Sequence, residues 1–310
     1  MTIIATLTPV FLLVALGAVL RRVRFLPPDF FDGCAKLTYW IGLPSLLLVQ
    51  IAASKYDATQ SGRVFGVMLA ASVAVVFVGA VTARLLHLEP TRRRTFIHTS
   101  FHCNTAFVGL PVVMYALAGA PNARDMLDVA SMALAPMVPA INILSILVLR
   151  HGAAPGAGGL TWRVTKSIVT NPLVIACMAG IACAVLQVQL PTAAARGLDS
   201  LGRMALPLAL LSIGAGLHVE NIRGYLGAAL VAALFNVALL PLIGWGLCRL
   251  LELSKTETLV ALIFLACPTA SSAYVYARQL AGDSEFAGRV IVLSTILSAG
   301  SLWAVLYWFM

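Results

Sequence analysis

The sequence predicts an all-α polytopic membrane protein, on the strength of its composition, its long apolar segments and an internal repeat. Of its 310 residues, 60% are hydrophobic and 11% are charged, against roughly 45–50% and 25% in soluble domains. Mean hydropathy is +0.95. Because a transmembrane helix needs about 20 mostly apolar residues, the chain has room for about ten spans and for no separate soluble domain.

Ten apolar segments, separated by charged or turn-forming stretches, are each long enough to form one transmembrane helix. The predicted spans are 3–20, 34–53, 64–86, 96–118, 126–149, 168–187, 199–217, 224–248, 257–280 and 286–308. The longest polar connection, 150–167, is rich in glycine and alanine. It divides the chain into two five-helix parts, 1–149 and 168–310.

The two halves share helix-breaking residues at a constant spacing. The pairs brought together by a shift of 163 residues are Pro9/Pro172, Gly17/Gly180, Leu43-Pro44/Leu206-Pro207, Leu88-Glu89/Leu251-Glu252 and Leu117-Ala118-Gly119/Leu280-Ala281-Gly282. Since five is an odd number of spans, the second half must enter the membrane from the opposite side. This predicts an inverted repeat, an architecture of many secondary transporters.

The distribution of basic residues predicts the orientation of the chain. Alternate connections carry fourteen Lys and Arg residues on one side and seven on the other. The positive-inside rule places the richer side in the cytoplasm, together with the linker 150–167, and places both termini outside. The net charge of +9 is therefore expected to serve membrane topology rather than nucleic-acid binding.

The fourth and ninth predicted spans carry glycine, proline and polar residues in their middle. They read TFIHTSFHCNTAFVGLPVVMYALAG and TLVALIFLACPTASSAYVYARQLAG. Proline and glycine favour unwinding, so we expect helix breaks at Gly109, Pro111 and Pro268. Unwound backbone at this depth is tolerated where it lines a cavity, and freed N–H groups at helix ends bind anions. The residues predicted to bind substrate are Asn104, Thr105, Asn142, Pro268, Thr269, Ser271 and Ser272, with His102 and Tyr274 lining the cavity.

Structural roles remain open for the same residues. Proline often only kinks a membrane helix, and Ser, Thr and Asn commonly bond to a neighbouring helix, which is the simpler role for Asn142 and Asn236. His98 and His102 share a helix face, but no acidic or cysteine cluster completes a metal site. We therefore expect no metal, no cofactor and a polar helix face at these histidines.

Several segments, in the same order along nearly the whole chain, resemble those of the auxin efflux carrier family, the bacterial relatives of the plant PIN carriers. They are FLP at 25–27, LPSLLL at 43–48, NTAFVGLP at 104–111, NPLVIACMAG at 171–180, LPLALLSIGAGL at 206–217 and ACPTASSAYVYARQLAGD at 266–283. Two features differ from the plant members: a second proline is replaced in the stretch Ser271-Ser272-Ala273, and the central loop is short. Both differences argue against auxin itself as the substrate, but not against the transporter class.

The resemblance implies a fold similar to sodium/proton antiporters and bile-acid symporters, with helices 4 and 9 crossing at their breaks. It implies that spans 1, 2, 6 and 7 form a scaffold, often homodimeric, and that spans 3–5 and 8–10 form a moving transport domain, as in an elevator mechanism. The implied substrates are small organic anions, such as auxin-like or malate- and malonate-like acids. The expected location is the bacterial inner membrane.

The sequence offers no carboxylate deep in a span, because all Asp and Glu residues lie at or near span ends. Uniport of an anion is therefore the simplest hypothesis, and a proton- or sodium-coupled symporter is the alternative. No GxSxG motif or P-loop is present, which argues against an intramembrane enzyme and a primary pump. A non-transporting receptor would leave the paired breaks without a use.

Overall fold

The computed structural model describes residues 3–54, 58–117, 123–151, 170–217, 225–280 and 282–309. These residues are helical almost throughout, and they form no strand beyond one isolated β-bridge. The α-helices of this part are α1 (Ile3–Arg22), α2 (Pro28–Leu37), α3 (Leu43–Ala52), α4 (Ala58–Leu85), α5 (Pro90–Phe101), α6 (Leu110–Leu117), α7 (Ala123–Arg150), α8 (Pro172–Val185), α9 (Thr192–Ala215), α10 (Leu226–Leu234), α11 (Leu240–Leu250), α12 (Lys255–Leu265), α13 (Ser272–Gln279) and α14 (Ser284–Phe309).

Six helical segments of the described chain are long and apolar enough to cross a membrane. They are Asp29–Ala52, Thr59–Leu85, Asp125–Arg150, Thr192–Ala215, Leu226–Leu250 and Ser284–Phe309, and two shorter apolar helices are Thr105–Ala116 and Pro172–Val185. The prediction of an all-α chain with several membrane-length helices is therefore confirmed. The count of ten spans remains a prediction, and residues 152–167 of the predicted linker lie outside the described part.

Three short π-helical segments occur in the described chain, and each is followed by a Leu-Pro pair. The segments are Thr38–Gly42, Thr105–Gly109 and Phe235–Leu239, and the prolines after them are Pro44, Pro111 and Pro241. A proline ring collides with the carbonyl four residues back. A π-turn shifts the bonding by one residue, as in the bond from Leu43 N–H to Thr38 O, and so accommodates the ring. The helices therefore continue through these prolines.

The chain divides into two compact units. Unit 1 comprises Met1–Phe65, Ala106–Pro139 and Thr165–Leu217, and unit 2 comprises Gly66–Thr105, Ala140–Val164 and His218–Met310. The core of unit 1 is built around buried leucines of α3, with Leu110 of α6, Leu134 of α7, Leu173 of α8 and Leu206 of α9. In unit 2, α5 packs against α10, α13 and α14.

Two helix pairs of unit 1 approach each other closely at glycines that share the 163-residue spacing. A Cβ added to Gly17 of α1 would overlap the carbonyl oxygen of Leu211 in α9. A Cβ added to Gly180 of α8 would lie 2.9 Å from Ile51 Cβ and 3.2 Å from Leu48 O in α3. Gly17 and Gly180 are 163 residues apart, and so are Leu48 and Leu211. The glycine–leucine contact of α1 with α9 therefore recurs at the equivalent residues of α8 and α3.

Helix ends repeat as well, but with a different spacing in the later part of each half. Arg24, His87, Gln187 and Glu252 all have a left-handed backbone, with φ between 51° and 55°. Each follows a helix C-terminus in a Schellman motif, shown by Phe25 N–H bonded to Leu20 O and Val188 N–H bonded to Cys183 O. Arg24 and Gln187 are 163 residues apart, whereas His87 and Glu252 are 165 apart. The ungapped sequence pairing of Leu88-Glu89 with Leu251-Glu252 is therefore two residues out of the structural register.

Candidate functional site

Two helices of unit 2 are interrupted, as the sequence predicts for the fourth and ninth spans. Helix α5 ends at Phe101, and the residues up to Asn104 are not α-helical. Helix α12 ends at Leu265, and α13 begins only at Ser272. At the first interruption His102 has φ −81° and ψ 81°, and Cys103 N–H bonds to Phe101 O at 3.0 Å, which is an inverse γ-turn.

The two interruptions are joined by backbone hydrogen bonds. Asn104 N–H donates to Pro268 O at 2.8 Å, and Ala270 N–H donates to His102 O at 2.8 Å. Together they form an antiparallel bridge between Cys103 and Thr269. Buried backbone groups released from a helix must find new partners, and here each broken helix supplies partners for the other. The two interruptions therefore form one structural element.

The first interruption lies earlier than the sequence predicted. Gly109 is the last residue of the π-helical segment Thr105–Gly109, and Pro111 is the second residue of α6. The predicted breaks at these two residues are therefore wrong, because the π-turn absorbs Pro111 without ending the helix. Pro268 does lie within the second interruption.

Thr269 fixes the position of the second interruption. Its hydroxyl donates to Thr99 O at 2.9 Å, and its N–H donates to Ser294 Oγ at 3.0 Å. It is 1% exposed. Its hydroxyl is thus used within the protein, and it ties the bridge to both α5 and α14.

The other predicted binding residues differ in exposure. Asn104 is buried, Thr105 and Asn142 are half-buried, and Ser271 and Ser272 are exposed. The side chains of Thr105, Asn142 and Ser271 make no hydrogen bond to another described residue. The ranges 95–109 and 258–277 contain no Asp, Glu, Lys or Arg. The two interruptions therefore present neutral hydrogen-bonding groups without a fixed charge.

The predicted cavity-lining residues have different surroundings. Tyr274 is 41% exposed on α13. His102 is 4% exposed, and its Nε2 lies 3.3 Å from Ser272 Oγ. Asn236, which the sequence marked as a polar residue of the eighth span, is fully buried in a π-helical segment and donates from Nδ2 to Cys103 Sγ at 3.4 Å. This contact attaches Asn236 to the first interruption.

The structure reveals a polar cluster that sequence reasoning missed. His98 Nε2 lies 2.9 Å from His102 Nδ1, which in turn lies 2.8 Å from Ser145 Oγ of α7. The spacing of the two histidines was a local signal, but nothing local indicates Ser145, which is 43 residues away in sequence. No group of three or more His, Cys, Asp or Glu side chains among the described residues could hold a metal ion.

The fold and the paired interruptions define the class: a multi-pass helical membrane protein with two interrupted helices joined by backbone hydrogen bonds. Comparison with known proteins agrees, because the family model described as "Membrane transport protein" matches residues 2–156 and 159–306. The chain therefore belongs to this auxin efflux carrier-like membrane transport family, which confirms the resemblance seen in the sequence motifs.

A curated relative from Rhizobium meliloti (strain 1021), named "Putative malonate transporter", is 27% identical over 147 residues. The match covers 46% of this chain and 45% of the relative. The chain thus matches about half the length of that curated relative.

Proposed function

We propose that this protein is a secondary carrier that moves a small organic anion across the bacterial inner membrane by alternating access around the paired interruptions. The observation that carries the proposal is the antiparallel bridge between Cys103 and Thr269. Transporters with broken helices bind their substrates where the breaks meet, because the ends of the half-helices offer unpaired backbone groups there. A membrane protein without a substrate path has no use for such a costly arrangement.

The chemistry around the bridge suits an anion. Helix α13 begins at Ser272 with the partial positive charge of a helix N-terminus, and the π-helical segment begins at Thr105 on the other side of the bridge. Exposed or half-buried hydroxyl groups lie at both ends, namely Thr105 at the start of the π-helical segment and Ser271 and Ser272 at the start of α13. Neutral donors of this kind bind a carboxylate without holding it too tightly for release.

We assign the chain to ten helices arranged as two inverted repeats. The matching glycine contacts of α1 with α9 and of α8 with α3 support this assignment. At the bridge the spacing between the two halves is larger than 163 or 165, since Cys103 and Thr269 are 166 residues apart. Between the scaffold spans and the bridge, the second half is therefore three residues longer than the first.

The division into units bears on the moving parts. Predicted spans 1, 2, 6 and 7 fall mainly in unit 1, and spans 3, 8, 9 and 10 fall in unit 2. Spans 4 and 5 are divided, since residues 106–139 belong to unit 1. We propose unit 1 as the scaffold of an elevator-type homodimer and unit 2 as the carrier of the substrate site. The proposed orientation keeps both termini outside.

The site and the curated relative together support a proposal for the substrate class. The name of the curated relative refers to malonate, and the family resemblance implies small carboxylic acids. We propose a malate- or malonate-like acid as the transported anion, with an auxin-like acid as a further member of the same class.

Replacing Asn104 with Ala is expected to weaken malonate binding by about 10- to 100-fold, since a hydrogen bond to a charged group contributes roughly 1.5–3 kcal/mol. Asn104 lies in the bridge itself, between the two half-helices. The dissociation constant is measured by titration calorimetry on purified protein, and transport by uptake of labelled malonate into proteoliposomes.

Asn171→Ala is the matched control. Asn171 is also 6% exposed, but it caps α8 by accepting hydrogen bonds from Leu173 N–H and Val174 N–H. This variant is expected to lose about 1 kcal/mol of stability while keeping the malonate affinity of the wild type. An Asn104→Ala protein that binds malonate as tightly as the wild type would move the site away from the bridge.

A further inference from the structure

The cluster of His98, His102, Ser145 and Ser272 has a hydrogen-bonding pattern with one open proton position. His98 is 0% and His102 is 4% exposed, so both rings depend on the protein for partners. Nδ1 of His102 contacts both His98 Nε2 and Ser145 Oγ, whereas its Nε2 contacts only Ser272 Oγ. These contacts determine where hydrogens lie.

Ser145 fixes the proton on one side of His102. Its hydroxyl lies 2.6 Å from Ile141 O one turn back and donates its hydrogen there. Towards His102 the same oxygen can therefore only accept. We therefore assign a hydrogen to Nδ1 of His102, which faces Ser145 Oγ and His98 Nε2 as acceptors. In the neutral state this leaves Nε2 of His102 without a hydrogen. Neutral His98 then carries its own hydrogen on Nδ1, a buried atom without a hydrogen-bond partner among the described residues.

The open position is Nε2 of His102, and it faces the accessible end of the cluster. Ser272 is exposed, and its hydroxyl can rotate to donate to a bare Nε2 or to accept from a protonated one. An additional proton on Nε2 breaks none of the contacts of Nδ1. A proton on His98 Nε2 would instead point at the hydrogen of His102 Nδ1 and lose that contact.

The residues around the two rings offer no fixed counter-charge. The ring of Tyr276 lies near both imidazoles, with centroid distances of 5.9 Å to His98 and 5.7 Å to His102. Helix α10 and the π-helical segment Phe235–Leu239 carry no titratable side chain. The charged or titratable residues on the other packed elements are Arg92, Arg93 and Arg94 of α5, Cys103 and Cys267 of the interruptions, Arg124, Asp125, Asp128 and Arg150 of α7, His151 just beyond α7, Tyr274 and Arg278 of α13, and Glu285, Arg289 and Tyr307 of α14.

A charged imidazolium without a counter-ion is unfavourable in such a place. A carboxylate bound beside Ser272 would supply the missing negative charge, and the proton would in turn neutralise the carboxylate. The two ligands therefore favour each other's binding reciprocally.

We propose that Nε2 of His102 is a proton-binding site and that the protein carries one proton together with each organic anion. This inference rests on the proposed carrier function. One proton binds at Nε2 on one side of the membrane and leaves from the same atom on the other, so no bond other than N–H forms or breaks. A monovalent carboxylate would then cross without net charge, and a divalent one with a single negative charge. No Asp or Glu lies deep in a predicted span, and histidine can serve as the coupling group in place of such a carboxylate.

The test uses purified protein in liposomes, with the membrane voltage clamped at zero and labelled malonate as the probe. Both buffers are alkaline enough for malonate to be fully ionised. An inward proton gradient of about tenfold is expected to drive about tenfold accumulation of malonate, since coupled ligands share one free-energy balance. A uniporter would only equalise the two malonate concentrations.

Two substitutions locate the proton site. In His102→Gln the side-chain amide takes the place of Nε2 near Ser272, and in His102→Asn it takes the place of Nδ1 near Ser145. Neither amide binds a proton in the physiological pH range. Either folded variant is expected to exchange malonate across the membrane without accumulating it. His151→Gln, at an exposed histidine beyond α7, serves as the control and is expected to accumulate malonate like the wild type.

The outcomes separate the two levels of the proposal. Wild-type protein that exchanges malonate but never accumulates it would overturn proton coupling and leave the carrier intact. Wild-type protein that neither exchanges nor accumulates malonate, while control vesicles remain sealed, would overturn the proposed function and with it the coupling. Accumulation that persists in a folded His102→Gln or His102→Asn variant would overturn the assignment to His102.

Discussion

Gly214→Ala is expected to lower the free energy of unfolding by about 3 kcal/mol, because the added methyl group would overlap backbone rather than side chain. A Cβ at Gly214 of α9 would overlap Val14 O and lie 2.7 Å from Val14 C and 3.0 Å from Ala18 N in α1. A flexible side chain could turn away, but a helix backbone can yield only if the whole helix shifts. Small residues at such crossings are what allow membrane helices to pack closely.

The consequence should extend along the whole crossing. Gly17 of α1 meets Leu211 of α9 one turn away, and a Cβ there would overlap Leu211 O. Forcing the helices apart at Gly214 therefore also removes the contact at Gly17. The loss is measured by denaturant titration or thermal unfolding in detergent.

Gly197→Ala in the same helix provides the control. No heavy atom lies within 4 Å of a Cβ built at Gly197. Alanine there is expected to raise stability by about 0.5–1 kcal/mol, because glycine is the poorer helix former. Equal stability of the Gly214→Ala and Gly197→Ala proteins would contradict the close approach of α1 and α9.

The glycine contacts also show what the sequence could predict. Gly17 and Gly180 stood out because they recur at one spacing in a chain where leucine and alanine coincide by chance. Their partners, Leu211 and Leu48, carried no such signal, because an apolar residue suits any face of a membrane helix. The sequence thus indicated which positions are special, and the packing shows why.

The interruption in α5 was predicted in the right helix but at the wrong residues. Gly109 and Pro111 have strong helix-breaking tendencies when taken alone. The π-turn that precedes Pro111 relieves the clash. The backbone is held open at His102–Asn104 instead, where Asn104 N–H donates to Pro268 O and His102 O accepts from Ala270 N–H. Long-range backbone pairing decided the position, and single-sequence propensity has no access to it.

The histidine cluster was beyond prediction for a similar reason. The four-residue spacing of His98 and His102 places both on one face of a helix, but the fold alone brings Ser145 and Ser272 to them. The sequence alone therefore predicts only a polar helix face at these histidines.

Asp283→Ala is expected to lower the free energy of unfolding by about 3 kcal/mol, through loss of a partly buried ion pair and of a helix cap. Arg92 Nε lies 3.0 Å from Asp283 Oδ2, with 16% and 19% of the two side chains exposed. Asp283 Oδ1 accepts from Phe286 N–H at the start of α14, and Asp283 N–H donates to Thr95 Oγ1. Asp283 thus links the start of α14 to Arg92 and Thr95 of α5, and Thr95 lies six residues before the end of α5 at Phe101.

Arg92 is also held by an aromatic ring. Its guanidinium carbon lies 3.7 Å from the ring centre of Tyr225, ahead of α10. Burial lowers the pKa of Arg92, but hydrogen bonds to Tyr225 and Asp283 raise it more, so the net pKa is above its ordinary value. The stabilisation from this shift is therefore complete below the ordinary pKa of arginine and is lost only above it. The contacts of Arg92 with Asp283 and Tyr225 should therefore not depend on pH in the physiological range.

Two comparisons separate the contributions of Asp283. Asp283→Asn keeps an oxygen to cap Phe286 N–H but removes the charge, so its loss should be smaller than that of Asp283→Ala. Asp199→Ala removes an exposed ion pair with Arg203, four residues along α9, and is expected to cost about 0.3–0.5 kcal/mol. Thermal unfolding of the three proteins in one detergent ranks them. If the Asp283→Ala and Asp199→Ala proteins have the same melting temperature, the Arg92–Asp283 pair does not hold α5 in place, and the contacts of Thr269 and Asn236 must position the bridge.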